Sequence, residues 1–126
     1  MIVDSSAILA ILFGESDQEI YESKLEVARQ VWISPINWWE VMVRARTIKG
    51  EDGERVALDL MDTHQIEVAL IGAEAANAAF VAFRQYKGRP ARLNMGDCFA
   101  YALAKQKDLP LLFKGNDFAA TDVKVA

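Results

Sequence analysis

The chain predicts an α/β fold: a three-layer helix-sheet-helix sandwich around a central, mainly parallel sheet of four or five strands. Three observations predict it. Short apolar runs at residues 1–3, 31–34, 66–71 and 111–113 alternate with longer stretches of helical periodicity. Connections of that length imply parallel pairing through crossovers that cover both sheet faces. With 52% hydrophobic residues among 126 and a mean hydropathy of +0.07, the chain has apolar surface for one compact core and is not a disordered composition. No repeat, linker or low-complexity stretch divides it, so residues 1–126 read as a single domain.

Each element has a local reason. Met1-Ile2-Val3 is a buried strand, and Asp4-Ser5-Ser6 opens an apolar helix over 7–13 that Gly14 stops. Ser16-Asp17 starts an amphipathic helix reaching about residue 29. After the strand at 31–34, Ser34 as N-cap and Pro35 at the first helical position start a helix over 36–49, closed by Gly50. A separate helix covers 53–64. The β-branched run 66–71 is a strand broken by Gly72, and the alanine-rich helix 73–87 ends at Gly88. Asn94 leads into a helix over 95–107, Pro110 precedes the strand 111–113, and Gly115-Asn116-Asp117 is a turn. Residues 123–125 add a final short strand.

Composition narrows the chemistry. Cys98 is the only cysteine and His64 the only histidine, which excludes an internal disulfide and a Cys/His zinc cage and argues against a Ser-His or Cys-His dyad of the usual kind. A net charge of −4 argues against a basic surface all round. Yet if Asp4, Glu40, Asp97 and Asp117 are set aside, the remaining acids and bases balance. No apolar run is long enough to span a bilayer and the N-terminus lacks signal-peptide order, so a soluble, cytoplasmic protein is expected.

Those four acids recur where a strand should end or a helix start. Asp4 ends the first strand, at the sheet edge where ligands bind in a parallel α/β fold. It reads equally as the cap of the following helix. Glu40 shares a helix face with Ile36, Val43 and Thr47, expected to point inward, and Arg44 four residues on offers an ordinary ion pair instead. Asp97 stands three residues after Asn94, a capping arrangement that is compatible with a functional role. Asp117 follows the strand 111–113 and so reaches the same edge as Asp4, although alone it is an ordinary turn residue.

Taken together they say more. Carboxylates converging at one sheet edge repel unless protons or a cation intervene. A set of oxygen donors suits Mg²⁺ or Mn²⁺, and beside basic residues it is equipment for phosphodiester hydrolysis. Arg84, Lys87, Arg89 and Arg92 form an acid-free basic run just upstream of Asp97. They can clamp phosphates or simply favour a helix C-terminus and a solvated loop. Trp38 and Trp39 can stack bases, but on an apolar helix core or interface is the commoner role, and that reading is preferred.

The blocks Ile2-Val3-Asp4-Ser5-Ser6-Ala7, Ser34-Pro35 followed by Glu40, Asn94-Met95-Gly96-Asp97-Cys98-Phe99-Ala100 and Leu111-Leu112-Phe113-Lys114-Gly115-Asn116-Asp117-Phe118 together resemble PIN-domain ribonucleases of the VapC toxin type, over the whole chain. The resemblance implies that Asp4 and Asp97 ligate Mg²⁺, that Glu40 and Asp117 complete the acidic pocket, and that Ser6 supports it by hydrogen bonding. It also implies an RNA-cleaving toxin, usually a homodimer, silenced by a cognate antitoxin. Arg84, Lys87, Arg89 and Arg92 would then position the RNA backbone. Rival readings are a receiver-like phosphoacceptor domain, which would use Lys114 but lacks an aspartate ending the central strand, and a haloacid-dehalogenase-like phosphatase, which would need an aspartate where Ser6 stands. A PIN-like fold that only binds RNA or a partner is a third.

Overall fold

The computed structural model describes residues 1–126. Its elements are β1 (Ile2–Val3), α1 (Ser5–Leu12), α2 (Gln18–Val27), β2 (Val31–Ile33), α3 (Pro35–Thr63), β3 (Ile66–Val68), α4 (Ala73–Tyr86), α5 (Met95–Lys107) and β4 (Leu111–Leu112). The strands form one parallel sheet in the order β3-β2-β1-β4. The connections leave β1 toward β2 on one side and return to β4 on the other, so the chain's topological switch lies at β1, where the loops after β1 and β4 part.

Alternation along the strands builds the three layers. Val3, Val31, Ile33 and Leu112 face a core formed with α1, α2 and α3. Ile2 and Leu111 face the opposite core, formed with α4 and α5. Both cores are dominated by small and branched apolar residues, and Ile2, Val3, Ile33 and Leu111 are fully buried. No helix is long and apolar enough to cross a membrane.

Three sequence expectations are revised. The run 66–71 pairs only as far as Val68, followed by a single bond from Ala69 N to Ile33 O. Its partner β2 ends at Ile33 because Ser34 turns to cap α3, so Leu70 has nothing to pair with and is fully exposed. The tail contributes one bridge, Leu111 with Val125, rather than a fifth strand. The helices expected over 36–49 and 53–64 abut as α3, whose axis breaks at Gly50 with φ +62° and ψ −145°. That left-handed backbone is open to glycine without the strain a side chain would impose.

Candidate active site

Asp4 caps α1: its Oδ2 accepts from Ser6 N at 3.0 Å and from Ser6 Oγ at 2.5 Å. Capping and site placement therefore coincide, because the residue that ends β1 also starts the helix. Its Oδ1 accepts from Asn37 Nδ2 at 2.8 Å. Asp4 is only 2% exposed, and burial raises its pKa, with the charge of Glu40 adding to the effect. Ser6 does a second job, accepting from Lys114 N at 3.0 Å. That bond ties the end of β1 to the turn that carries Asp117.

Asp97 stands in the first turn of α5 in a reciprocal capping box, accepting from Asn94 N at 2.8 Å while Asn94 Oδ1 accepts from Asp97 N at 2.9 Å. It too is buried. Burial first, and then the charges of Asp4, Asp117 and Glu40, push its pKa up to about 7. The four acids thus converge in one electrostatic neighbourhood, with Asp4 and Asp97 inside and Glu40 and Asp117 progressively more exposed.

Glu40 is held differently from the sequence expectation. The buried stripe of α3 is Asn37, Val41 and Ala45, whereas Val43 and Thr47 face solvent. Glu40 is half-buried at the edge of that stripe, and its partner is Ser5, whose Oγ donates to Oε2 at 2.7 Å, not Arg44. Its carboxylate lies so close over α5 that a Cβ placed on Gly96 would stand 2.8 Å from Oε2. The absence of a side chain at Gly96 is what admits Glu40 to the site.

Asn37, unremarked in the sequence, is the hub. It is completely buried and its Nδ2 donates both to Asp4 and to Gly96 O, the latter at 3.2 Å. Its Oδ1 accepts from Ser34 Oγ, and its backbone N–H donates back to that hydroxyl at 3.1 Å. The only sequence signal was an amide on the inward stripe of an apolar helix, since a buried amide must find partners.

The four predicted cations are all exposed. Lys87 lies over the Phe83 ring at 5.7 Å, and Arg92 stands two residues before the α5 cap with φ +58°. None of the four takes part in any of the chain's eight ion pairs, and neither does any of the four acids.

The donor chemistry fits a hard divalent cation. Asp97 Oδ1 and Glu40 Oε1 have no hydrogen-bond donor in the chain, and Asp4 Oδ1 has one lone-pair site left beside Asn37. Every available donor is oxygen. No three of the chain's acids close into an all-protein cage, so an ion held by Asp4 and Asp97 would have to fill its remaining positions with water, as Mg²⁺ can.

Comparison with known proteins identifies the family and the fold. Residues 1–124 match the PIN domain family. The chain is 44% identical over 127 residues to "Ribonuclease VapC" of Mycolicibacterium smegmatis, covering 98% of this chain and 97% of the relative. It is 39% identical over 129 residues to "Ribonuclease VapC42" of Mycobacterium tuberculosis, covering 100% and 98%. A toxin-antitoxin complex from Klebsiella pneumoniae contains a chain of similar structure, with 28% identity, a TM-score of 0.72 and coverage of 99% and 95%. The fold is also that of Mycobacterium tuberculosis VapC20, described as a Sarcin-Ricin loop cleaving toxin, at 15% identity, a TM-score of 0.82 and coverage of 99% and 97%. The receiver reading falls on topology, because β1 here lies between β2 and β4, unlike the 2-1-3-4-5 order of that fold. Strand order, the acidic pocket at the switch of the sheet and full-length similarity lead to one family: the chain belongs to the PIN-domain family and, within it, to the VapC ribonucleases.

Proposed function

We propose that the protein is a Mg²⁺-dependent endoribonuclease toxin, with Mn²⁺ as an alternative ion, held in check by a cognate antitoxin in the cytoplasm. The observation that carries this reading is geometric: Asp4 and Asp97 are both buried, one amide, Asn37, bonds Asp4 and the first turn of α5 together, and neither these acids nor Glu40 and Asp117 are paired with a Lys or Arg. Such an arrangement is costly in the free protein and becomes favourable when a cation is added.

Asp4 and Asp97 are the proposed metal ligands. Bound there, the ion would supply Lewis-acid activation of water and charge stabilisation at the scissile phosphodiester. Glu40 and Asp117, nearer the rim, orient the attacking water or take its proton. Ser6 and Asn37 position Asp4, and Ser5 positions Glu40. Arg84, Lys87, Arg89 and Arg92 hold the RNA backbone: exposed and free of ion pairs, they are available to phosphate, where contacts fix register rather than sequence. The intact acid set favours catalysis over a role in binding alone.

A partner surface is supported by α4. Phe80, Val81 and Phe83 are 60%, 58% and 41% exposed, and Phe80 and Phe83 border an apolar cleft with Met95, Cys98 and Phe99. The similarity to a chain of a toxin-antitoxin complex supports an antitoxin as one partner, and the exposed apolar area of α4 has room for a second copy of this chain as another.

The test is cleavage of single-stranded RNA by the purified protein with Mg²⁺. Cutting should leave 5′-phosphate and 3′-hydroxyl ends, stop with EDTA and be lost in Asp97→Asn while the circular dichroism spectrum is retained. Cleavage undiminished by EDTA would sink the metal proposal.

A further inference from the structure

Two adjacent tryptophans on α3 have opposite fates. Trp38 packs against the core beneath the sheet, but Trp39, about 100° further round the helix, is 58% exposed. Neither a core role nor any contact within the chain accounts for so large an apolar side chain left in water. Facing it from the start of α5 is Met95, 64% exposed. The two border a cleft of about 220 Å³ whose remaining lining is Ile36, Glu40, Asn94 and Gly96. Glu40 and Gly96 belong to the acidic site itself, so this cleft is its direct continuation.

The lining has the composition of a stacking slot. An indole and a thioether offer flat or polarizable apolar surface, and the cleft suits one planar group rather than a peptide helix. One polar donor is available. The capping box holds Asn94 Oδ1 on Asp97 N–H, which leaves Asn94 Nδ2 without a partner in the chain. Single-stranded RNA presents what such a slot takes, an unstacked base with a π face and hydrogen-bond acceptors on its edge.

We infer that the Trp39–Met95 cleft binds one nucleobase of the RNA, next to the phosphate that is cut, with the base stacked on Trp39 and an acceptor on its edge bonded to Asn94 Nδ2. The inference rests on the ribonuclease reading and adds to it a residue that positions substrate. Stacking is tolerant of base identity, so Trp39 governs engagement of the strand, while Asn94 sets the orientation of the base.

The experiment uses a short RNA whose cut site has been mapped, and the same RNA made abasic at each nucleotide flanking the cut in turn. For the wild-type protein with Mg²⁺, one abasic position should lower kcat/KM by roughly 5- to 150-fold, the range for loss of one base–aromatic stack. Trp39→Ala should lose most of this difference between intact and abasic RNA, keeping only what the Asn94 contact supplies, and Trp39→Phe should restore most of it. A readout independent of cleavage is tryptophan emission in EDTA: the uncut RNA should quench the wild-type signal and leave that of Trp39→Phe largely unchanged. If the wild-type protein cuts no RNA, the ribonuclease reading itself fails. If it cuts, and Trp39→Ala keeps the intact-to-abasic ratio, only the base slot is overturned. Trp39→Ala protein that turns monomeric with that ratio unchanged also overturns it, and gives the surface to a second copy of the chain.

Discussion

Asn37 donates a hydrogen bond to Asp4 across 2.8 Å of protein interior, joining residues 33 positions apart in sequence. The same amide nitrogen reaches Gly96 O, a further 59 residues away from Asn37. One side chain therefore registers the end of β1, the first turn of α3 and the first turn of α5, the elements that carry Asp4, Glu40 and Asp97. It also fixes which lone pair of Asp4 faces the pocket.

Asn37→Ala should be strongly destabilising, because it leaves Asp4 Oδ1 and Gly96 O without their buried donor and the Ser34 hydroxyl proton without its acceptor. A cost of about 2–4 kcal/mol is expected from unsatisfied buried polar groups, measured by urea denaturation at pH 7. RNA cleavage under conditions where the variant is still folded should fall at least tenfold. An unchanged denaturation midpoint would show that the amide is not the hub.

Asp97 makes the metal-free protein sensitive to pH. Its folded-state pKa is raised from 3.8 to about 7, so between these values the folded state binds more protons than the unfolded one. The associated stability is fully present below pH 3.8 and is lost as pH rises through about 7. Thermal melts in EDTA should therefore show a falling melting temperature from pH 5 to pH 8, with part of the slope due to Asp4, whose pKa burial also raises. Asp97→Asn should flatten the slope, raise the pH 8 melting temperature by a few degrees and abolish cleavage. Adding Mg²⁺ at pH 8 should stabilise the wild-type protein, as ligand binding to the folded state requires, and Asp97→Asn much less.

Gly96→Ala separates activity from stability. Alanine is favoured over glycine inside a helix by about 1 kcal/mol, but its Cβ would stand 2.8 Å from Glu40 Oε2. The flexible end of Glu40 can move aside at little cost and in doing so leaves its place beside Ser5. The melting temperature should stay within a few degrees of the parent while kcat/KM on RNA drops about tenfold or more. A fully active variant would remove Glu40 from the proposed machinery.

Asp122 should govern acid stability away from the site. It accepts from Tyr101 Oη at 2.5 Å and from Lys105 Nζ at 2.9 Å, and these bonds pull its pKa down to about 2. The stability this adds is present above the ordinary value of 3.8 and disappears as pH falls through about 2. Asp122→Asn should lower stability at pH 6 and weaken the loss between pH 4 and pH 2. Denaturation curves across that range check it, and an unchanged acid limb would show that the bond network does not carry the effect.

Much of the proposed site was legible because its candidate residues also serve local structure. Asp4 and Asp97 sit where an acid is already favoured, one as a cap and one in a capping box, so start signals for helices also marked the edge where the proposed ligands stand. The helix over 95–107 came out residue for residue for the same reason. For Glu40 the sequence left an inward partner and an ion pair with Arg44 equally open, because Arg44 is close in sequence whereas Ser5, the partner found, is close only in space.

What the sequence determined by itself is whatever depends on a few consecutive residues: apolar periodicity, caps, stops and hence the alternation that makes a parallel α/β sandwich. The tertiary structure alone decided the partners of polar groups and the extent of exposure. Asn37 became a hub because burial forces an amide to be satisfied and its acceptors come from two other elements. Trp39 stayed in water because α3 spends its inward stripe on Asn37, Val41 and Ala45. The strand at 66–71 stopped at Val68 because a β-strand lasts only as long as its neighbour. Contacts of this kind are set by how the layers close on each other, which no local pattern encodes.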